Sequence, residues 1–356
     1  MLRTEMGYST ILTDKNRGGH RDSNIDLIRV IACAAVVGLH TFPKDLSVYT
    51  ALLYYLCGFA VPFFFMSSGY FLLNRSKVSC EYAKNRCVGI IKTVFAWSCL
   101  WHVLKFVKQG GFNKTIVIDF SSIVKTFAGA FVQRGTLWQF WYLGALLIIY
   151  MLLPFLSKLS SRNKRILLLT CGIISISIQI VSFKCGKPIQ KYVTQTFRIW
   201  TWLFYFLLGG QIKIIKAQIS TYISIVSHFW ICADYTVIVI LFENYVGCKK
   251  ILEAGEALHA EYFYDSFCEM VWIVIVFSFL LRINLSKRCS KFVMELASLT
   301  MGIYIIHPMV LAITIKIIGN NSIFNSILCW FVTTLCATGM AWIIKRFPLG
   351  EYLIKI

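Results

Sequence analysis

The chain has 356 residues, of which 58% are hydrophobic and only 15% are charged. A soluble globular chain has about 25% charged residues, so this composition excludes a soluble enzyme and predicts a polytopic membrane protein. The apolar runs are near-continuous over roughly 20 residues, which argues against a β-barrel, whose strands alternate in polarity.

The formal net charge is +20, a feature shared with many nucleic-acid-binding proteins. Here the lysines and arginines fall in the short gaps between apolar runs, as they do in the cytoplasmic loops of membrane proteins. The charge therefore predicts an orientation in the membrane and no nucleic-acid partner.

Ten apolar segments each approach the roughly 20 residues that a helix needs to cross the hydrocarbon core. They predict an all-α integral membrane fold, a bundle of about ten transmembrane helices, over 25–43, 50–73, 87–106, 138–158, 165–183, 197–214, 221–242, 266–284, 297–317 and 323–345. A weaker stretch at 115–132 is interrupted by Asp119 and Lys125, and we expect it to be interfacial or re-entrant.

Charge counting gives this bundle a direction. With the N-terminus inside, the inner segments hold 21 lysines and arginines and the outer segments hold 10. This excess favours both termini in the cytoplasm. We therefore expect a cytoplasmic tail at 1–23, a transmembrane domain at 24–356, and a multi-pass protein of the cell membrane in contact with membrane lipids.

The first span holds two costly polar residues, Arg29 and His40, eleven positions apart. Eleven residues make about three helical turns, so the two side chains share one face and lie roughly 16 Å apart along the axis. Ionisable groups inside a membrane segment indicate a functional site. The pair predicts one long site that crosses part of the membrane.

Each residue of the pair has a chemical role open to it. His40 offers a neutral imidazole near pH 7, which can take a proton from a hydroxyl group. Arg29 keeps its charge, and it either clamps an anion near the cytoplasm or pairs with Asp26, three residues earlier on the same face. Both roles of Arg29 stay open at this point.

Small and basic residues end the second span. Ser68 permits close helix packing or contacts a bound molecule, and Pro62 can bend the helix because it lacks an amide hydrogen. Arg75 and Arg86 crowd the inner mouth beyond. In the simplest interpretation they are cytoplasmic positive charges, and in a second one they hold phosphate oxygens.

Aromatic and imidazole side chains occur at two further places. Trp138, Trp141 and Tyr142 open the fourth span, where they belong to the aromatic belt or stack on a sugar ring. His307 lies in the ninth span before a proline, and it either lines the same cavity as His40 or braces it. The cysteines show no metal-ligand spacing, so we expect no metal.

Four segments, taken in order over most of the chain, resemble the membrane acyltransferase 3 family. The most specific is the arginine followed eleven positions later by a histidine, here Arg29 and His40 after Asp26. The others are 64–72 (FFMSSGYFL), 141–147 (WYLGALL) with Tyr150 and Pro154 after it, and 302–308 (GIYIIHP).

The resemblance implies an O-acyltransferase, commonly an acetyltransferase, that modifies cell-surface glycans. It implies an acyl-CoA donor, by default acetyl-CoA, from the cytoplasm and a hydroxyl acceptor on a glycan or lipid-linked saccharide. It implies His40 as catalytic base, Arg29 as a contact of the donor or transition state, and Arg75 and Arg86 near the CoA phosphates. Some members have Arg-x-Arg at the start of the third span, whereas this chain has one arginine there, Arg86.

A second hypothesis is a transporter or flippase for an amino acid or a lipid-linked sugar. Intramembrane arginine and histidine also suit a substrate or proton pathway, and the membrane half of serine-racemase-type resistance proteins is similar. The two halves of the chain show no evident inverted repeat, which favours the enzyme. The first hypothesis leaves open which acceptor is used, how long the acyl chain is, whether transfer is direct or passes through an acyl-enzyme, and what the oligomeric state is.

Overall fold

The computed structural model describes residues 22–75, 78–108, 120–249, 258–348 and 350–354. These residues form α-helices and short 3-10 turns, with no strand in the ranges given. The helices are α1 (Ser23–Thr41), α2 (Val48–Leu56), α3 (Ala60–Leu72), α4 (Cys80–Lys108), α5 (Phe120–Phe131), α6 (Trp141–Lys158), α7 (Ser161–Lys184), α8 (Ile199–Tyr222), α9 (Ile225–Lys249), α10 (Phe267–Leu280), α11 (Lys287–Ala297), α12 (Thr300–Ile318), α13 (Ile323–Arg346) and α14 (Gly350–Ile354).

Within the described ranges, 8 helical segments are long and apolar enough to cross a membrane. They are Ser23–Thr41, Val48–Leu72, Cys80–Val107, Trp138–Lys158, Ser161–Lys184, Ile225–Cys248, Thr300–Ile318 and Ile323–Arg346. The other two predicted spans fall on α8, which turns polar at Gln211, Lys213 and Lys216, and on the shorter α10. The chain is an all-helical, multi-pass membrane protein, and the count of ten and the orientation of the termini stay predictions.

The predicted span at 50–73 corresponds to the apolar segment Val48–Leu72, which is built from two helices, α2 and α3. The chain turns at 57–59, where Cys57 N donates to the Tyr54 carbonyl at 3.1 Å and Gly58 N to the Tyr55 carbonyl at 2.8 Å. Pro62 then lies in the first turn of α3, where a missing amide hydrogen leaves no helical bond unmade. The proline therefore starts a helix instead of bending one.

The weak apolar stretch at 115–132 includes a helix too short to span a membrane. α5 has 12 residues and buries only Ala130, which is consistent with the interfacial interpretation. Residues 115–119 of that prediction lie outside the described residues.

Short polar side chains begin several of these helices. The Asp22 carboxylate accepts from the amide of Asn24 at 3.0 Å and caps α1. Serines cap α7, α10, α11 and α13 in the same way, namely Ser160, Ser266, Ser286 and Ser322. Each cap satisfies an amide that the helix itself leaves without a partner.

A side-chain clamp fixes the start of α1 against the end of α10. Asn24 Nδ2 lies within hydrogen-bond distance of three carbonyl oxygens, those of Leu280 (3.3 Å), Leu281 (2.9 Å) and Ile283 (2.9 Å). These carbonyls lie at a helix end, where they have no helical donor. Because α1 carries both Arg29 and His40, the clamp sets the depth of both side chains in the bundle.

In the core, α3 and α8 approach each other closely. A Cβ atom added at Gly69 would collide with the Phe206 carbonyl oxygen, and one added at Gly209 would collide with the Met66 carbonyl oxygen. The two backbones therefore touch directly, as small residues allow in membrane helices. Nearby, Phe65 stacks on Trp202 with ring centroids 4.8 Å apart.

Candidate functional site

One continuous cavity of about 750 Å³ runs between α1, α3, α6 and α12. Eight of the ten predicted site residues line it: Arg29, His40, Ser68, Arg75, Arg86, Trp138, Trp141 and Tyr142. The other two, Asp26 and His307, each lie behind a residue that lines the cavity. The fold thus brings segments far apart in sequence to one site.

One end of this cavity, which we call the arginine end, is lined by Arg29, Arg75 and Arg86. Arg29 Nη1 lies 3.7 Å from Oδ1 of the buried Asp26, and Arg29 Nη2 donates to Thr300 Oγ1 at 3.4 Å. The Arg29 side chain is still 33% exposed. The two roles left open for Arg29 are therefore compatible, since Asp26 occupies only part of the guanidinium.

Arg75 and Arg86 flank the ring of Tyr82. Their guanidinium carbons lie 4.8 and 5.1 Å from the ring centroid, and Arg86 Nε donates to the Tyr82 hydroxyl at 3.1 Å. Neither guanidinium pairs with a carboxylate of any described residue. Cations that are held in place and have no counter-ion in the described part of the chain suit phosphate oxygens.

The other end, which we call the histidine end, is built from His40, Trp138 and His307. The His40 ring meets Trp138 edge-on with centroids 5.3 Å apart and stacks on His307 at 5.2 Å. No hydrogen bond joins the His40 ring to another described residue. Packing therefore orients the imidazole, while its nitrogens stay available to a molecule in the cavity.

His307 is fully buried behind His40. Its Nδ1 donates to the Ile303 carbonyl at 3.2 Å, and its Nε2 has no partner among the described residues. Of the two positions that the sequence allowed, His307 takes the one that braces His40.

Aromatic side chains wall the passage between the two ends. The Tyr142 ring lies 5.0 Å from Phe65 and 5.7 Å from Tyr304, measured between centroids. Trp141 packs on Trp202 at 5.2 Å, so it belongs to the core as well as to the cavity wall. Ser68 Oγ donates to the Phe64 carbonyl at 2.9 Å, which satisfies that hydroxyl within its own helix.

Beyond His40 the cavity opens into a polar mouth lined by Gln133, Gln195 and Glu261, among others. Arg198 is buried behind it, with Nη2 3.3 Å from Glu261 Oε1 and 2.8 Å from the Gln190 carbonyl. Gln195 donates to the other Glu261 oxygen. The carboxylate is thus held from two sides, and Arg198 serves the fold at this end.

Asp265 continues that polar network one layer deeper. Its carboxylate accepts from Thr201 Oγ1 at 2.6 Å and from Gln190 Nε2 at 3.1 Å. Burial raises the pKa of Asp265 above its ordinary value, and these two hydrogen bonds oppose the rise. The network fixes the loops that surround the polar mouth.

Sequence reasoning missed several residues of the cavity wall. Ser67 Oγ and Gln139 Oε1 are buried polar atoms with no partner among the described residues, and both residues line the cavity. Tyr82 and Thr300 hold the arginines. Ser67 lies inside the 64–72 segment and the other three lie outside the quoted motifs, and none of the four roles can be recognised without knowing which residues pack around the side chain. The described residues contain no group of three or more metal-ligating side chains.

Comparison with known sequences supports the relationship that the motifs indicated. The profile of an acyltransferase domain family, acyltransferase 3, matches residues 22–346. The chain belongs to the acyltransferase 3 family. No solved structure gives a significant match to it.

Curated relatives of this acyltransferase 3 chain have a different name. An amino-acid racemase of Enterococcus faecalis is 24% identical over 89% of this chain and 45% of its own length. A serine/alanine racemase of Enterococcus gallinarum is 30% identical over 50% of this chain and 26% of its own length. The chain spans less than half the length of these relatives.

Proposed function

We propose that this protein transfers an acyl group, by default acetyl, from cytoplasmic acyl-CoA to a hydroxyl of a cell-surface glycan or its lipid-linked precursor. The observation that carries the proposal is the single cavity that joins three arginines to His40. The reaction needs a binding site for the polyanionic donor at one end of the cavity and a proton acceptor at the other end.

The arginine end suits the phosphates of acyl-CoA. Arg75 and Arg86 pack on the Tyr82 ring, and neither forms an ion pair with a carboxylate of the described residues. Arg29 and His40 are roughly 16 Å apart along α1, a distance that the extended pantetheine arm of CoA covers. The thioester then reaches His40 while the phosphates stay with the arginines.

Transfer is direct in this proposal. His40 takes the proton of the acceptor hydroxyl as its oxygen bonds to the thioester carbon, and the thiolate of CoA then leaves and receives that proton. Ser67 and Ser68 line the cavity, but neither hydrogen-bonds a histidine or carboxylate of the described residues, so no activated nucleophile stands beside the path.

The acceptor enters by the polar mouth and meets Trp138. This indole is 37% exposed and touches His40, so a sugar ring stacked on it would present a hydroxyl to the imidazole. The protein lies in the cell membrane, with acyl-CoA on one side and the acceptor on the other.

The test is a transfer assay with purified protein in lipid nanodiscs, labelled acetyl-CoA and surface glycan from cells that lack the protein. His40→Ala should lower transfer by about 10²–10⁴-fold. His102→Ala is the matched control, because His102 lies on α4 outside the cavity and hydrogen-bonds Thr126 at 3.0 Å. Full activity of His40→Ala, or unchanged glycan acylation in cells without the protein, would contradict the proposal.

The second candidate is transport of an amino acid, which the names of the racemase relatives favour. In this case the cavity carries a small zwitterion past Arg29 and His40. Uptake of labelled serine into vesicles without acetyl-CoA, insensitive to CoA analogues, would support transport over transfer.

A further inference from the structure

Gln139 is a buried residue of the cavity wall whose side-chain amide has no hydrogen-bond partner among the described residues. The residue is 3% exposed, lines the cavity, and directly precedes the Phe140 cap of α6. Its Oε1 receives no hydrogen bond, and its side-chain amide makes none to any described residue. A buried polar group in this state costs free energy unless a bound molecule pairs with it.

Gln133 and Gln195 also line the cavity, and their hydrogen bonds show how Gln139 differs from them. Gln133 Oε1 accepts a hydrogen bond from the backbone N–H of Gln195 at 3.0 Å, and the Gln195 side chain donates to Glu261. Away from the cavity, Gln190 Nε2 donates to Gln179 Oε1 at 3.0 Å. Each of these amides has a structural partner, whereas Gln139 is left open toward the cavity.

Contacts of neighbouring residues connect Gln139 to His40. The preceding residue, Trp138, touches the His40 ring. The backbone carbonyl of Gln139 accepts from the Tyr304 hydroxyl, and the Tyr304 ring lies 6.2 Å from His307, which stacks on His40. Gln139 is therefore held at the histidine end through its backbone, and only its side chain remains uncommitted.

We propose that the side-chain amide of Gln139 donates a hydrogen bond to the acyl carbonyl oxygen during transfer. This inference rests on the proposed function. When the acceptor oxygen bonds to the thioester carbon, the carbonyl electron pair moves onto oxygen, and the Gln139 N–H stabilises that negative charge. Collapse restores the carbonyl and breaks the carbon–sulfur bond, and the thiolate takes the proton held by His40.

Three hydroxyl groups of the cavity wall donate to backbone carbonyls, so none of these three offers its hydrogen to the acyl oxygen. Tyr304 donates to the Gln139 carbonyl, Thr300 to the Ala297 carbonyl, and Ser68 to the Phe64 carbonyl. Ser67 Oγ also has no partner within the described ranges, but it lies midway along α3 instead of at the histidine end. A fixed donor aimed at developing charge is a large catalytic contribution in acyl transfer.

The experiment replaces Gln139 by leucine and measures transfer, acetyl-CoA affinity and thermal stability on the same preparation. We expect kcat to fall about 10²–10³-fold with KM and the Kd of acetyl-CoA little changed. The melting temperature should stay the same or rise, because leucine removes an unpaired polar group. Gln139→Met is a second variant, to be used if the Gln139→Leu protein does not fold.

Gln179→Leu is the matched control, since its amide is hydrogen-bonded away from the cavity. It should lower the melting temperature and leave kcat near the wild-type value. Wild-type kcat in Gln139→Leu would overturn this inference and leave the proposed function standing. Parallel losses of kcat and stability in both Gln139 variants would also overturn it. Absence of transfer by the wild-type protein would overturn both proposals.

Discussion

The arginine end and the histidine end of the cavity are built by different forces. At the arginine end, Arg29 is partly paired with Asp26, while Arg75 and Arg86 are held by the Tyr82 ring and have no carboxylate partner among the described residues. At the histidine end, buried rings pack on one another, and His307 Nε2 has no hydrogen-bond partner among the described residues. Coulomb attraction acts over several ångströms, whereas proton transfer needs hydrogen-bond distance. Variants at the first end should therefore change donor affinity, and variants at the second should change kcat.

The largest effect that sharpens this contrast is expected at His307. His307→Ala removes the ring on which His40 stacks, so the imidazole is misplaced and kcat should fall about 100-fold. Donor affinity should be close to that of the wild type. Transfer kinetics and acetyl-CoA binding on the same sample measure the two effects.

His307→Phe is the companion variant. It keeps a ring behind His40 and removes the unpaired Nε2, so it should recover most of the lost kcat and should not lower the melting temperature. If His307→Phe is as inactive as His307→Ala, the nitrogen of His307 takes part in the reaction and bracing is not its main role.

The next effect tests the other end. Arg75→Ala and Arg86→Ala should each weaken acetyl-CoA binding by about tenfold or more, the usual loss for a hydrogen bond to a charged group. The value of kcat at saturating donor should hold. Lys84→Ala is the control, because Lys84 is exposed between them in sequence but does not line the cavity. Equal losses in all three variants would mean that general positive charge, and no specific site, attracts the donor.

Asn24→Ala should affect both ends of the cavity at once. The Asn24 clamp fixes the depth of α1, and α1 contributes Arg29 to one end and His40 to the other. We expect a loss of about 1–3 kcal/mol in the free energy of unfolding, together with small parallel decreases in donor affinity and kcat. Denaturation of the purified protein measures the first. A change in only one of the two kinetic quantities would contradict the shared role of the clamp.

The smallest effect is expected at Tyr82. Tyr82→Leu removes the ring between Arg75 and Arg86, and each cation–π contact contributes about 0.5–1 kcal/mol at an exposed site. Binding of acetyl-CoA should weaken about threefold, with Tyr82→Phe closer to the wild type. Calorimetric titration of the three proteins measures this. Unchanged affinity in Tyr82→Leu would show that the arginines need no support.

The sequence was informative wherever a property is local. The spacing of Arg29 and His40 is a property of one helix, so their common cavity follows from helical geometry. Ser68 and His307 lie inside two of the ordered motifs, and Trp138 lies just before the 141–147 motif. Hydropathy located eight of the ten expected spans as long apolar helices.

The rest depended on contacts between distant parts of the chain. The Asn24 clamp joins residues 256 or more positions apart, and Arg198 meets Glu261 across 63 positions. The residues next to Gln139 and Gln195 in sequence do not distinguish them. The Gln195 side chain is bonded to Glu261, whereas the Gln139 side chain has no partner among the described residues. The break at 57–59 also escaped hydropathy, since apolar residues continue through it.

The close backbone approach of α3 and α8 at Gly69 and Gly209 has a consequence for how the cavity adapts to substrates of different size. Two backbones in direct contact have no side chains to rearrange between them, so we expect α3 and α8 to move together. On this expectation the face of α3 that carries Ser67 and Ser68 is a fixed wall. A bulkier acceptor has to gain its space from the opposite side, where α6 and α12 meet through side chains that can change rotamer. Changes in acceptor range among engineered variants should accordingly map to those two helices.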